Sequence, residues 1–169
     1  MMVEISDETG RFRRRNVLRR ALAALGDEYG AHDRELTVVL VDDETMAARN
    51  AAHRGVSGPT DVLSYPLHEP DDVGVPVVSA LGDIVVSLDT ATRQARERRV
   101  ATYREVLVLC AHGLLHLLGF DHRDAASWRP FEAAQRRVLA LAAEEGRSSA
   151  ADPRPPAAAA PAESAEGSP

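Results

Sequence analysis

The chain has 169 residues, a net charge of −6 and a single cysteine. That length suits one domain with a proper core, the charge argues against bulk electrostatic binding of nucleic acid, and one cysteine excludes an internal disulfide. No run approaches the roughly 20 apolar residues of a membrane span, and the arginine-rich start lacks the apolar stretch and cleavage site of a secretory signal, so a cytosolic location with no membrane contact is expected.

In chain order, MVEISDE (residues 2–8) alternates apolar and polar residues as a strand does, and residues 14–30 then set Val17, Leu18, Leu22 and Leu25 at helical spacing. ELTVVLVDD (35–43) is a β-branched run suited to a buried strand. Residues 43–55 carry acidic first-turn residues, an alanine-rich body and a terminal Gly55, the marks of a helix. After the turn GVSGPT, strands are expected at 61–66 and 81–90. The intervening loop, with Pro70, Asp71, Asp72, Gly74 and Pro76, has the composition of a functional or mobile segment. Helices follow at Thr90–Val100, at Tyr103–Leu118, apolar enough to lie buried, and at 125–145, with Trp128, Phe131, Val138 and Leu139 on its inner side. From Arg147 the text is Ala, Pro, Ser and acidic residues, which cannot offset their ordering entropy, so 147–169 is expected to be a disordered tail and 1–146 the domain. The order βαβαββααα predicts an α+β fold, a mixed four-stranded sheet packed with about five helices.

All 20 basic residues are arginine, as a nucleotide-composition bias would give. Six fall between 11 and 20 and five between 93 and 104. Each run reads as the solvated face of an amphipathic helix, with a phosphate-contacting patch as the alternative.

The chemistry is concentrated in HGLLHLLGFDH (112–122). Residues four apart on a helix lie about 40° apart around the axis and about 6 Å along it, so His112 and His116 project side by side. Gly119 suits the left-handed residue that ends the helix, and that reversal lets His122 return toward the same point. H-x3-H-x2-G-x2-H is the spacing by which metzincins complete a three-histidine zinc site. Unconnected core histidines are the alternative, but each buried imidazole would then need its own polar partner. Three neutral nitrogen donors suit zinc and leave a fourth position open, as in catalytic sites; nickel, copper and iron also bind imidazole. A metal site is therefore expected at the end of the buried central helix. Where an H-E-x-x-H protease keeps its glutamate base this chain has Gly113, so a protease reading loses its base while hydrolysis of some other ester stays open. Cys110 points about 200° around the helix from His112 and reads as a core thiol.

The same stretch resembles the signature of the YbeY family, bacterial metallo-endoribonucleases of ribosomal RNA maturation. NAAHRGVSGPTDVLSYP (50–66) and LGDIVVSLDTATRQA (81–95) are similar to further family segments in order and spacing. The resemblance implies one zinc per chain on His112, His116 and His122, with Arg54, His112 and His116 catalytic and Arg54 also substrate-binding. It implies a cleft between helix and sheet and single-stranded RNA as substrate, chiefly the 3′ end of small-subunit ribosomal RNA, with roles in ribosome quality control and contacts to the small subunit and its proteins. A guanidinium suits that role because it pairs with phosphate oxygens and offsets developing charge. His53 and Tyr65 depart from the family's usual tyrosine and phenylalanine. Asp121 is expected either to orient an imidazole or to cap the following helix; Asp83 and Ser64 are strand-end candidates for supporting the ligands. Metal-bound hydroxide and the ribose 2′-hydroxyl both stand as attacking groups. Two other readings are a peptidase whose base is Asp83 or Asp121, and a non-catalytic ribosome assembly factor with a structural zinc.

Overall fold

A computed structural model describes residues 1–67 and 79–151. The elements are β1 (Met2–Asp7), α1 (Arg15–Glu28), β2 (Glu35–Val41), α2 (Asp43–Arg54), β3 (Val62–Pro66), β4 (Ala80–Ser87), α3 (Leu88–Glu97), α4 (Thr102–Leu117) and α5 (Ala125–Ala151). The expected α+β order holds, with four strands in one mixed sheet and five helices. The acidic loop lies within 68–78, outside the described residues. Helix α5 crosses the expected domain end at residue 146, and the rest of the tail, 152–169, is likewise outside the described residues.

The strand order is β1-β2-β4-β3, with β1, β2 and β4 parallel and β3 antiparallel at the edge beside β4. Strand β2 lies inside the sheet, which is why its Leu36, Val38 and Leu40 are buried. Alternation along the strands gives the sheet two faces. Val62, Ile84 and Val86 belong to the main core with α1, α4 and α5, whereas Leu63 and Val85 pack with Val41 and Met46 of α2 on the other face. Helix α4 carries the apolar density expected of a buried helix: Val106, Leu107, Cys110, Ala111, Leu114 and Leu115 have almost no exposure.

Local chemistry sets the joints around the cleft. Asp42 caps α2 by accepting the Thr45 N–H at 2.8 Å, and Gly55 ends it in the left-handed region at φ 66°. The buried Asn50 side chain donates from Nδ2 to the Gly58 carbonyl at 2.9 Å, fastening the turn that leads into β3. Helix α3 starts at Leu88, two residues before the expected Thr90, because Ser87 Oγ accepts the Thr90 N–H and already serves as the cap. It ends at Glu97, short of Val100, where Arg99 turns left-handed and the Val100 N–H closes on the Ala95 carbonyl.

Candidate metal centre

Helix α4 ends in a two-bond C-terminal turn: the Phe120 N–H donates to the Leu115 carbonyl and the Gly119 N–H to the His116 carbonyl, both at 3.0 Å. Gly119 sits at φ 87°, the reversal its position in the sequence called for. The turn brings His122 back over the helix, and its Nε2 lies 3.5 Å from His112 Nε2, which is 3.1 Å from His116 Nε2. The ligand nitrogens of the three imidazoles all lie within 4.8 Å of one another. Tetrahedral ligands at metal–nitrogen distances of 2.0–2.1 Å stand about 3.3 Å apart, so the two separations bracket the spacing one ion needs.

The turn also orients a ring. His116 Nδ1 is 3.1 Å from the Phe120 carbonyl oxygen; with its proton on Nδ1, His116 donates there and turns a lone pair on Nε2 toward the other two rings. Burial first, and the neighbouring His116 and His122 second, push His112 down to about 4, against a smaller opposing pull from Asp61. At neutral pH His112 is therefore an uncharged donor, and a cation between its lone pair and the nearby nitrogens of His116 and His122 would be stabilised there.

Aromatic residues of α5 back the cluster. The Phe131 ring, fully buried, lies 4.9 Å from His112, 4.9 Å from His116 and 4.7 Å from His122 between centroids, and Trp128 stands edge-on to His122 at 4.5 Å. On the open side is a cleft of about 490 Å³, walled by Thr60, Asp61, Val62 and Ser64 opposite the histidines. Asp61 is held by three donors, the Val62 N–H, the Thr60 hydroxyl and Gln94 Nε2, so its carboxylate is fixed at the cleft edge.

The expected supporting residues separate. Ser64 faces the cleft and donates to the Gly113 carbonyl at 3.4 Å. Asp83 does not join the three histidines: it lines a shallow hollow with Arg49, His53 and Tyr65 on the α2 face, because its strand parity is that of Val85 and opposite to Ile84, which packs on α4. The His53 and Tyr65 rings meet there, 4.5 Å apart. Asp121 accepts the His122 N–H at 2.8 Å and pairs with Arg123 at 2.9 Å, which fixes the backbone at His122. The helix cap expected of it falls instead to Asp124, whose Oδ1 accepts the Ser127 N–H at 2.8 Å. Arg54 is the last residue of α2, where the chain turns toward Thr60 and the cleft. Cys110 is buried, and burial pushes its thiol up, as suits a core residue. Sequence reasoning missed Asp61 and Thr60, which carry no motif, and the Phe120 carbonyl, since backbone oxygens leave no trace in residue identity.

A sequence model described as Endoribonuclease YbeY matches residues 3–143. A protein of that name from Thermus thermophilus is 51% identical over 124 residues, 73% of this chain and 88% of the relative. Another from Deinococcus radiodurans is 48% identical over 111 residues, 66% of this chain and 70% of the relative. The fold is similar to the solution structure of a protein from Thermotoga maritima, with a TM-score of 0.63, 28% identity and coverage of 92% of this chain and 99% of that one.

Proposed function

The chain belongs to the YbeY endoribonuclease family, and from that premise we propose that it cuts single-stranded RNA at the three-histidine cleft, with zinc as its metal, in maturing the 3′ end of small-subunit ribosomal RNA. The observation that carries this reading is the convergence of His112, His116 and His122 in an open cleft, with His116 oriented by the Phe120 carbonyl. His112, His116 and His122 would hold the ion. When bound, it supplies Lewis acidity toward a phosphodiester oxygen and one open coordination position.

The chain's own groups do the rest. Phe131 and Trp128 pack against the rear of the imidazoles, and the cleft on the Thr60–Ser64 side is where substrate would enter. Ser64 and Thr60 offer hydroxyls to a sugar-phosphate backbone lying in the cleft. Arg54, ahead of that wall, is assigned to a non-bridging phosphate oxygen, where a guanidinium offsets charge that grows in the transition state.

The peptidase alternative loses its base: Asp83 lies on the other face of the sheet, Asp121 is taken up by Arg123 and the His122 N–H, and Gly113 has no room for a glutamate. Metal analysis paired with cleavage of single-stranded ribosomal RNA fragments tests the reading. Arg54→Glu should retain zinc and lose cleavage, and His112→Ala should lose both; undiminished cleavage in both variants, or a zinc-loaded wild type that cuts nothing, rejects it.

A further inference from the structure

The first arginine run folds into a second place, far from the histidines. Arg11, Arg13 and Arg14, from the segment before α1, meet Thr92 of α3 and Thr102 and Tyr103 of α4 around a hollow of about 350 Å³. Arg96, from the second run, stands one turn beyond Thr92 on the same face of α3. Arg11 is paired with Asp89 at 2.8 Å and the adjacent Arg15 with Asp7 at 2.8 Å. Among the described residues no carboxylate pairs with Arg13, Arg14 or Arg96, and none lines the hollow, although the chain as a whole is acidic.

The helix starts there run against the fold's own interest. Arg14 occupies the cap of α1, which has neither a side-chain cap nor an acidic residue in its first turn; α4 also lacks a side-chain cap, and its one first-turn carboxylate, Glu105, is buried and paired with Arg98. Free backbone N–H groups and the positive end of the helix dipole favour an anion and disfavour a cation. Placing arginines beside them adds like charge to like, and an incoming anion relieves both. Tyr103 does not offer a free ring for base stacking, because the Arg14 guanidinium lies over it at 5.2 Å. The site therefore selects phosphate and not base identity.

We propose that this hollow is an exosite for the phosphate backbone of the RNA substrate, engaging the strand at a distance from the scissile bond. This rests on the endoribonuclease reading above. Tyr103 and His112 are nine positions apart on one helix, about 14 Å along its axis and about 180° around it, so only a strand long enough to pass around the molecule can occupy both sites. Guanidinium groups of Arg13 and Arg14 would each hold a phosphate through paired N–H bonds.

The test measures binding of a long fluorescent single-stranded RNA to the full chain, in chelator so that nothing is cut, across a series of salt concentrations. The Arg13→Glu/Arg14→Glu variant should bind about 10-fold more weakly, and its slope of log affinity against log salt should fall by about 1.4, two phosphates at about 0.7 each. Arg13→Lys/Arg14→Lys should keep the wild-type slope, and Arg13→Gln/Arg14→Gln, free of charge reversal, should lose it. With metal restored, cleavage of a short oligonucleotide confined to the histidine cleft should be unchanged in all three variants. Equal affinity and slope for wild type and the folded Gln variant would overturn the exosite. So would a larger loss of binding to anionic phospholipid vesicles than to RNA, which would assign the patch to membranes. A wild type that binds long RNA through these arginines yet cuts none would leave the exosite standing and fell only the catalytic reading.

Discussion

Gly113 of α4 and Ser64 of β3 stand so close that a Cβ on the glycine would lie 2.9 Å from the serine Oγ and 3.0 Å from Ile84 Cγ2. The Ser64 hydroxyl donates to the carbonyl of the same glycine. Helix and sheet are thus pressed together one residue beyond His112, and this contact sets how far the imidazoles stand from the cleft wall. The residue that removes a protease's base is also the one that permits the close approach.

Gly113→Ala tests that contact. Alanine gains up to about 1 kcal/mol of helix propensity over glycine, while overpacking costs about 1–3 kcal/mol. The expected outcome in urea unfolding is a net loss of about 0–2 kcal/mol, reduced when Ser64→Ala is added. Gly113→Glu has no place for its side chain and should lose the native near-UV signal; native stability in that variant would refute the packing account.

Metal loading should stabilise the fold. An ion that binds only the native state at 100 times its dissociation constant adds about 2.7 kcal/mol, which in a domain of this size is about 5–10 °C in Tm. Calorimetry with and without zinc should show that increment in the wild type and none in His116→Ala. The variant also gives up the His116–Phe120 hydrogen bond and the contact with Phe131, so each protein's zinc increment is read against its own metal-free Tm. An equal zinc increment in both proteins would mean the three imidazoles do not share an ion.

The histidine spacing was legible because it depends on two local rules, the helical period and the freedom of glycine at positive φ, and both act within eleven residues. The order of strands and helices along the chain was legible from equally local patterns, apolar alternation in the strands and the helical period. Asp83 was not, since its face depends on strand parity and on which helix covers which side, and both are fixed by the pairing of β4 with β2 and β3. Trp128 and Phe131 were visible as inward-facing apolar residues, yet their packing against imidazoles required the crossing of α4 and α5. The early start of α3 turned on one hydroxyl, Ser87, which reads equally well as the end of a strand.

Acid should weaken the α2–α3 joint through Asp43. Burial alone would push this carboxyl up, but hydrogen bonds from Arg93, Ser87 and Thr90 together hold it at about 2. A carboxylate with a lowered folded-state pKa contributes its stability above its ordinary value of 3.8 and loses it as pH falls toward about 2. Allowing for solvent at the half-exposed Arg93, the contribution is about 1–2 kcal/mol. Unfolding free energies of wild type and Asp43→Asn should differ by that amount at pH 7 and converge near pH 2; a constant difference across the range would assign the effect to shape and not charge.

Gly119→Ala separates the turn from the ligands. Nothing lies within 4 Å of a Cβ placed there, so the substitution acts through the backbone alone, at φ 87°. A left-handed alanine costs about 1–2 kcal/mol, and asparagine, which tolerates that region, costs less. Relaxing the turn relieves this strain by carrying His122 away from His112 and His116, so metal affinity should fall more than stability does. Zinc competition against a chelating dye should rank wild type first, Gly119→Asn next and Gly119→Ala last, with little difference among the metal-free proteins beyond the backbone cost. Equal zinc affinity in the alanine variant would show that His122 reaches the ion without the left-handed reversal, and the three-histidine geometry would then owe nothing to Gly119.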